Sequence, residues 1–235
     1  MKNKGDNQTH PSSALHTIDA IRDRQCVRAF LKKEVPPELI EKILEAARFA
    51  PSGVNTQPWH VTVLGPLHRQ KISAAIIQAR ENNIPENPDY HYYPTEWVEP
   101  FKSRRKACGL ALYGALHIAK DDNPARKKQW YKNYHFFDAP VGFIFYLPAG
   151  LCKGSWIDMG MFIQNVMLAA RYYGLETCPQ AALAEYPDII REQLNISADY
   201  HIVCGMAMGY ADWSDPVNQY RTTREEINTF TIWLN

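Results

Sequence analysis

Apolar and polar positions alternate in patterns that divide the chain into a few strong elements separated by breakers. Leu39, Ile40, Ile43, Leu44, Ala47 and Ala50 recur at intervals of three and four and form one apolar stripe, as an amphipathic helix requires. Pro36 and Pro37 stand at its entrance, where a fixed φ is tolerated, and Pro51 and Gly53 stop it. The run from Trp59 to Leu64 predicts a strand. Two later runs, Ala139 to Leu147 (APVGFIFYL) and His201 to Tyr210, are apolar, β-branched and aromatic over a strand's length and predict buried strands. Between them, Ser155 to Tyr173 predicts a long apolar helix ended at Gly174, with Met159, Met161 and Met167 as core filler.

Weaker signals fill the gaps. Ile18, Ile21 and Arg22 suggest a short helix, Pro187 to Leu194 another, and Thr177 to Ala182 a turn. Ala107 to Ala119 reads as a helix whose small residues, Gly109, Ala111, Gly114 and Ala115, permit close approach and suggest a buried or intersubunit position. Ile84 to Phe101 has neither period and is rich in proline and aromatics, so it reads as a long loop, with Tyr90, Tyr92, Tyr93, Trp97 and Phe101 capping a substrate or filling an interface. Helices and strands alternate irregularly, with too few βα repeats for a Rossmann sheet. The expected class is α+β, in one domain over residues 16–235 after a disordered polar tail at 1–15.

Charge and cysteine usage narrow the function classes. With 26 Lys and Arg against 25 Asp and Glu, the net charge of +1 offers no bulk attraction to nucleic acid or anionic membrane, and any anion site must be local. The longest apolar run carries Pro140 and Pro148 and is too short to span a bilayer. The first thirteen residues lack the apolar core of a secretory signal, and the five cysteines are odd in number and irregularly spaced with no C-x-x-C. A soluble cytoplasmic protein is expected. The histidines show no metal-ligand spacing, so no metal site is expected.

Three local features carry candidate chemistry. Arg24 and Arg28 in IRDRQCVRAF are four apart and, on a helical or tight turn, would converge on one anion; a solvated basic face is the alternative. In APSGVNTQPWH, Gly53 allows close backbone approach, Asn55 and Gln57 each offer a donor and an acceptor, and Pro51 and Pro58 stiffen the loop, although ordinary breakers between helix and strand look the same. Arg221 and Arg224 in QYRTTREE would face one phosphate, unless Glu225 and Glu226 simply neutralise them.

Taken together, these segments resemble the FMN-dependent nitroreductase family. IRDRQCVRAF resembles its R-x-S-x-R opening, APSGVNTQPW its A-P-S-G/S-x-N-x-Q-P-W segment, GLETCPQAAL (Gly174 to Leu183) its G-L-x-x-x-P turn and RTTR its closing R-x-x-R, in the family's order. The resemblance implies a nitroreductase-like fold, a central mostly antiparallel sheet flanked by helices, in an intertwined homodimer. It implies FMN held by Arg24, Gln25, Cys26 and Arg28, with Arg224 and Arg221 on the phosphate. Pro51, Ser52, Gly53, Asn55 and Gln57 would reach the flavin bound mainly by the partner subunit, and Pro179, Gln180 and Ala181 would form the turn whose backbone N–H meets the flavin N5. Cys26 stands where the family has serine and exchanges a hydroxyl contact for a weaker thiol one.

The implied activity is ping-pong transfer of electrons from NAD(P)H to nitroaromatics, quinones or similar small acceptors. FMN would supply the reactivity, and no side chain is assigned a catalytic role. Alternatives within the same resemblance are reductive dehalogenation, with Glu86, Tyr90 and Lys102 or Lys106 gripping a zwitterion, a branch that consumes its own flavin, and a flavin-binding protein without turnover.

Overall fold

The computed structural model describes residues 17–234, so the tail expected at 1–15 lies outside the described residues. In chain order the helices and strands are α1 (Thr17–Asp23), α2 (Pro37–Ala47), β1 (His60–Leu64), α3 (Pro66–Glu81), α4 (Phe101–Ala115), α5 (Asn123–Tyr131), β2 (Val141–Pro148), α6 (Lys153–Tyr172), β3 (Glu176–Gln180), α7 (Pro187–Leu194), β4 (Tyr200–Gly209) and α8 (Ile227–Phe230). The strands form one sheet in the order β1-β2-β4-β3, with every neighbouring pair antiparallel. β2 and β4 are central, which explains their almost unbroken apolar sequences: helices cover both faces, so alternate residues meet different layers and all must be apolar. Phe143, Phe145, Met206 and Met208 pack with Ile43 of α2 and Phe162 and Val166 of α6, while Ile144, Ile202 and Ala207 pack with Ile72 and Ile76 of α3 and Ile190 of α7. The α+β class and the helix-flanked antiparallel sheet are as expected from the sequence.

Local chemistry sets the ends. Beyond α6, Gly174 adopts φ +73°, and the N–H groups of Gly174 and Leu175 bond to the carbonyls of Arg171 (2.9 Å) and Ala170 (2.9 Å). This paired closure of a helix end favours the residue without a Cβ. Gly205 is required by packing instead: a Cβ there would lie 2.0 Å from Leu183 Cδ1, so the middle of β4 passes directly over the turn that follows β3.

Three expectations need correction. The stretch Thr177 to Ala182 is not a turn throughout, because Glu176–Gln180 is strand β3. Pro179 is tolerated there because β3 is an edge. The Thr177 carbonyl faces outward and accepts from Val27 N–H (3.1 Å), and Pro179, two residues on, faces the same way, where no β4 bond needs its missing donor. Arg24 and Arg28 do not share a helical turn, since α1 ends at Asp23 and the chain then runs extended, with Cys26 in a parallel bridge to Thr177. The small-residue helix begins earlier than its apolar pattern, at Phe101, and none of its residues is buried within the chain. Helices α3 and α5 carry no strong apolar pattern in the sequence, because α3 buries only three apolar residues, Ile72, Ile76 and Ala79, beside Ser73, and α5 buries only Gln129.

Candidate functional site

The extended segment after α1 lies along the outer edge of β3, and this position sets its side chains. Asn218, itself buried, clamps the segment: its Oδ1 accepts from Arg28 N–H (2.8 Å) and its Nδ2 donates to the Ala29 carbonyl (2.9 Å), while Gln25 Nε2 donates to the Asn218 carbonyl (2.9 Å). Sequence reasoning missed Asn218. Its one signal was the turn chemistry of Asp215-Pro-Val-Asn, where the Asp215 side chain accepts from Val217 N–H.

With the backbone so held, Arg28 Nη1 donates to Tyr220 Oη (2.9 Å) and the Cys26 carbonyl (3.3 Å), and Arg221 Nη1 donates to the Asp23 carbonyl (2.8 Å). Cys26 meets Cys178 of β3. Hydrogen bonding from that thiol and the charges of Arg28 and Arg24 hold Cys26 well below the ordinary thiol range despite burial, while the same contact pushes Cys178 up. Nearby, burial raises the Glu176 carboxyl although Arg171 is bonded to it at 2.5 Å and Arg221 and Arg24 add positive charge. The structure therefore brings Arg24, Cys26, Arg28 and Arg221 to one place. Arg224 is not part of that cluster by its contacts: its guanidinium bonds to Thr222 and Thr223 of its own exposed segment.

Beside this cluster opens a cleft of about 850 Å³. Its floor includes Arg28, Phe137 and the predicted Pro179, Gln180 and Ala181, and its far wall is α4, the loop before it and part of α5. The loop that precedes α4 is thus a wall of the cleft, with Tyr90, Tyr92 and Tyr93 lining it and Tyr90 packed against Trp156. Tyr90 Oη donates to the Val203 carbonyl (2.6 Å) and Glu86 pairs with Arg80 (2.8 Å), so two of the three groups that a zwitterion grip would need are already committed. Gln180 donates to the Asn133 carbonyl (2.5 Å), but its buried Oε1 has no partner among the described residues, an orphaned acceptor beside the cleft that a ligand donor would satisfy.

The segment Pro51 to Gln57 is not in this cleft. Buried Ala50 and Pro58 anchor its ends, and Trp59 stacks on Phe162 of α6 with centroids 4.9 Å apart. Between the anchors the loop stands exposed. Gly53 N–H reaches Asp158 Oδ2 (3.3 Å) and Ser52 Oγ accepts from Gln57 N–H (3.0 Å). Val54, Asn55 and Gln57 have φ of 45°, 60° and 48°, and Val54 is 97% exposed. A β-branched residue at positive φ is a strained outlier, and here no burial of its own side chain offsets the cost. A Cβ on Gly53 would meet only Asp158 Oδ2 at 4.0 Å, so nothing inside the chain demands glycine there. Gly53→Val should therefore leave the thermal midpoint of the flavin-free protein within about 2 °C, since surface substitutions usually stay within ±0.5 kcal/mol, while lowering FMN affinity if the loop meets a flavin from outside. Calorimetry of the flavin-free protein and fluorescence titration with FMN check both halves.

An α+β sheet layered between helices, with a cationic, aromatic cleft at its β3 edge, is the nitroreductase fold. The chain belongs to the Nitroreductase family, whose model matches residues 21–210. It is similar to a 4-nitrobenzoate reductase of Pseudomonas putida, 39% identical over 224 residues that cover 94% of this chain and 98% of the relative. A chloronitrobenzene nitroreductase of Comamonas testosteroni is 38% identical over 219 residues, 92% of this chain and 96% of the relative. Among solved structures, the FMN and NADPH-dependent nitroreductase NfnB from Sphigopyxis sp. strain HMH superposes with a TM-score of 0.88 at 36% identity, covering 93% of this chain and 99% of that one. No helix among the described residues is long and apolar enough to cross a membrane.

Proposed function

We propose that the chain is an FMN-dependent reductase that moves electrons from NAD(P)H to nitroaromatic acceptors, as a homodimer built from one FMN-binding domain over residues 16–235. The observation that carries this reading is that Arg28 lines a cleft together with Pro179, Gln180 and Ala181, while Arg24 lies beside the same Cys26 and Arg24 and Arg221 beside the adjoining Glu176. The residues fit the cofactor. Guanidinium groups suit a phosphate dianion, the cleft is large enough for a flavin and a small ring, aromatic side chains line its wall, and the unpaired Gln180 Oε1 awaits a donor. The activities and cofactors named for the relatives agree with it.

When bound, FMN would supply the two-electron redox chemistry that links the nicotinamide to the acceptor. The chain's residues position and stabilise. Arg28, held by Tyr220 and the Asn218 clamp, presents a fixed positive charge to the cofactor, so its field needs no reorganisation during reaction. Pro179 has no N–H and Gln180 pairs with Gly205 in β4, so Ala181 is the residue of this turn whose backbone N–H would be open to the flavin. Cys26 and Gln25 hold the segment that carries Arg28 against β3 and Asn218. The exposed loop with Ser52, Gly53, Asn55 and Gln57 serves the partner's flavin, which gives a reason for its strained backbone to persist. No His, Asp or Glu is assigned as an essential acid or base.

The test is a purified protein titrated with FMN and assayed for NAD(P)H oxidation at 340 nm with and without a nitroarene. Stoichiometric FMN uptake and nitroarene-dependent oxidation are expected. Absence of FMN binding, or oxidation indifferent to the nitroarene, overturns the reading.

A further inference from the structure

Two elements bring unlike chemistry to the cleft. From the β3 edge it is lined by Arg28, Pro179, Gln180 and Ala181. From α4 it is lined by Lys102, Arg105, Lys106 and Gly109, whose spacing of i, i+3, i+4 and i+7 puts them on one helix face, and Lys120 and Arg126 line it as well. None of Lys102, Arg105, Lys106, Lys120 and Arg126 has an ion-pair partner among the described residues. The carboxylates on the same lining are already engaged: Glu86 and Glu185 both bind Arg80 (2.8 and 3.0 Å), and Glu185 also accepts from Tyr134 (2.6 Å). Arg105 lies over the ring of Trp97 (5.2 Å) and Arg126 over that of Tyr113 (4.0 Å). These two guanidinium groups are thus steadied by aromatic faces, which leave their N–H edges free for an anion. A wall of uncompensated cations interleaved with tyrosines, on a chain whose net charge is only +1, is a local device.

We propose that the α4 side of the cleft is an anion subsite that takes the carboxylate of an acidic nitroarene, and that Lys102, Arg105 and Lys106 set a preference for anionic over neutral acceptors. The inference rests on the reductase reading of the same cleft and names its substrate class. Similarity does not decide this point, because relatives named for a nitrobenzoate and for a chloronitrobenzene are 39% and 38% identical to this chain. The side chains do. A planar ring lies against Tyr92 and Tyr93 while its carboxylate meets the α4 cations, and field lines from several like charges in one cleft raise the local concentration of the anion. The same cations would also suit the phosphates of the nicotinamide donor, and the experiment separates the two sources.

The FMN-loaded protein is assayed at saturating donor with 4-nitrobenzoate and with nitrobenzene, and its binding of the unreducible pair benzoate and benzamide is measured by the change in flavin absorbance. A lower KM for 4-nitrobenzoate and tighter binding of benzoate are expected, both shrinking as salt rises because the cations are exposed. In Lys102→Gln/Lys106→Gln, the KM for 4-nitrobenzoate should rise about fivefold, as for loss of two exposed charge pairs, with the KM for nitrobenzene and for NADPH unchanged. Equal KM values for the two acceptors in the unsubstituted protein overturn the proposal. So does a substituted protein whose NADPH KM rises while its acceptor preference stays, because the cations then serve the donor. If neither acceptor is reduced but benzoate still outbinds benzamide, the subsite stands and the reductase reading falls.

Discussion

Replacing Arg28 by Ala is expected to weaken FMN binding by about tenfold to a hundredfold, as for loss of one charged hydrogen bond worth ~1.5–3 kcal/mol. The size of the effect follows from how the side chain is held. Its backbone N–H is bonded to Asn218, its guanidinium to Tyr220 and the Cys26 carbonyl, so the charge is presented in one orientation and little entropy is lost when an anion arrives. Arg224→Ala is the informative comparison. Arg224 is exposed and bonded to Thr222 and Thr223, so within one chain its loss should cost less than that of Arg28. Fluorescence titration of each variant with FMN measures both. An Arg28→Ala protein with unchanged affinity would remove the arginine cluster from the site.

Deleting residues 227–235 is expected to abolish dimerisation at micromolar concentration and most FMN binding with it. Ile227, Phe230, Ile232, Trp233 and Leu234 are 54%, 72%, 86%, 71% and 92% exposed. A run of large apolar side chains on open surface marks an interaction site rather than a stable end state. Fully burying each is worth about 1.5–3 kcal/mol, so a partner that covers even half of them gains enough to shift a dimer equilibrium by several powers of ten. The proposed homodimer supplies that partner and also brings the Pro51 to Gln57 loop to a second copy's flavin. Sedimentation velocity on the full and truncated chains decides the matter. A truncated protein that remains dimeric and binds FMN as the full chain does would refute it.

Much of the scaffold was legible in the chain. β2 and β4 announced themselves because strands covered on both faces must be apolar throughout. The stripe of α2 and the length of α6 followed from their periods, and the end of α6 from Gly174. The family resemblance rested on short segments that carry their chemistry locally. The segment of β3 reads along the chain as a turn, and only the sheet's edge, known once the strand order is known, shows why Pro179 is tolerated within a strand. α3 carries no long apolar stripe, because three buried apolar positions with buried Ser73 suffice when a neighbouring sheet supplies the rest of the contact.

What the sequence by itself determined, then, was which segments could bury themselves and which residue types could serve a flavin, since those properties depend on spacing along the chain. Only the tertiary structure decided which of those residues meet. The spacing of Arg24 and Arg28 suggests convergence through a helical or tight turn, yet the segment runs extended along a strand edge, and Arg28 is held by Asn218, 190 residues away. Arg221 joins them and Arg224 turns aside. The cations of α4 become a wall because Arg80 takes the carboxylates that would have neutralised them. Pairings of this kind depend on distances across the fold, and a one-dimensional pattern holds no record of them because electrostatic and hydrogen-bonding forces act through space.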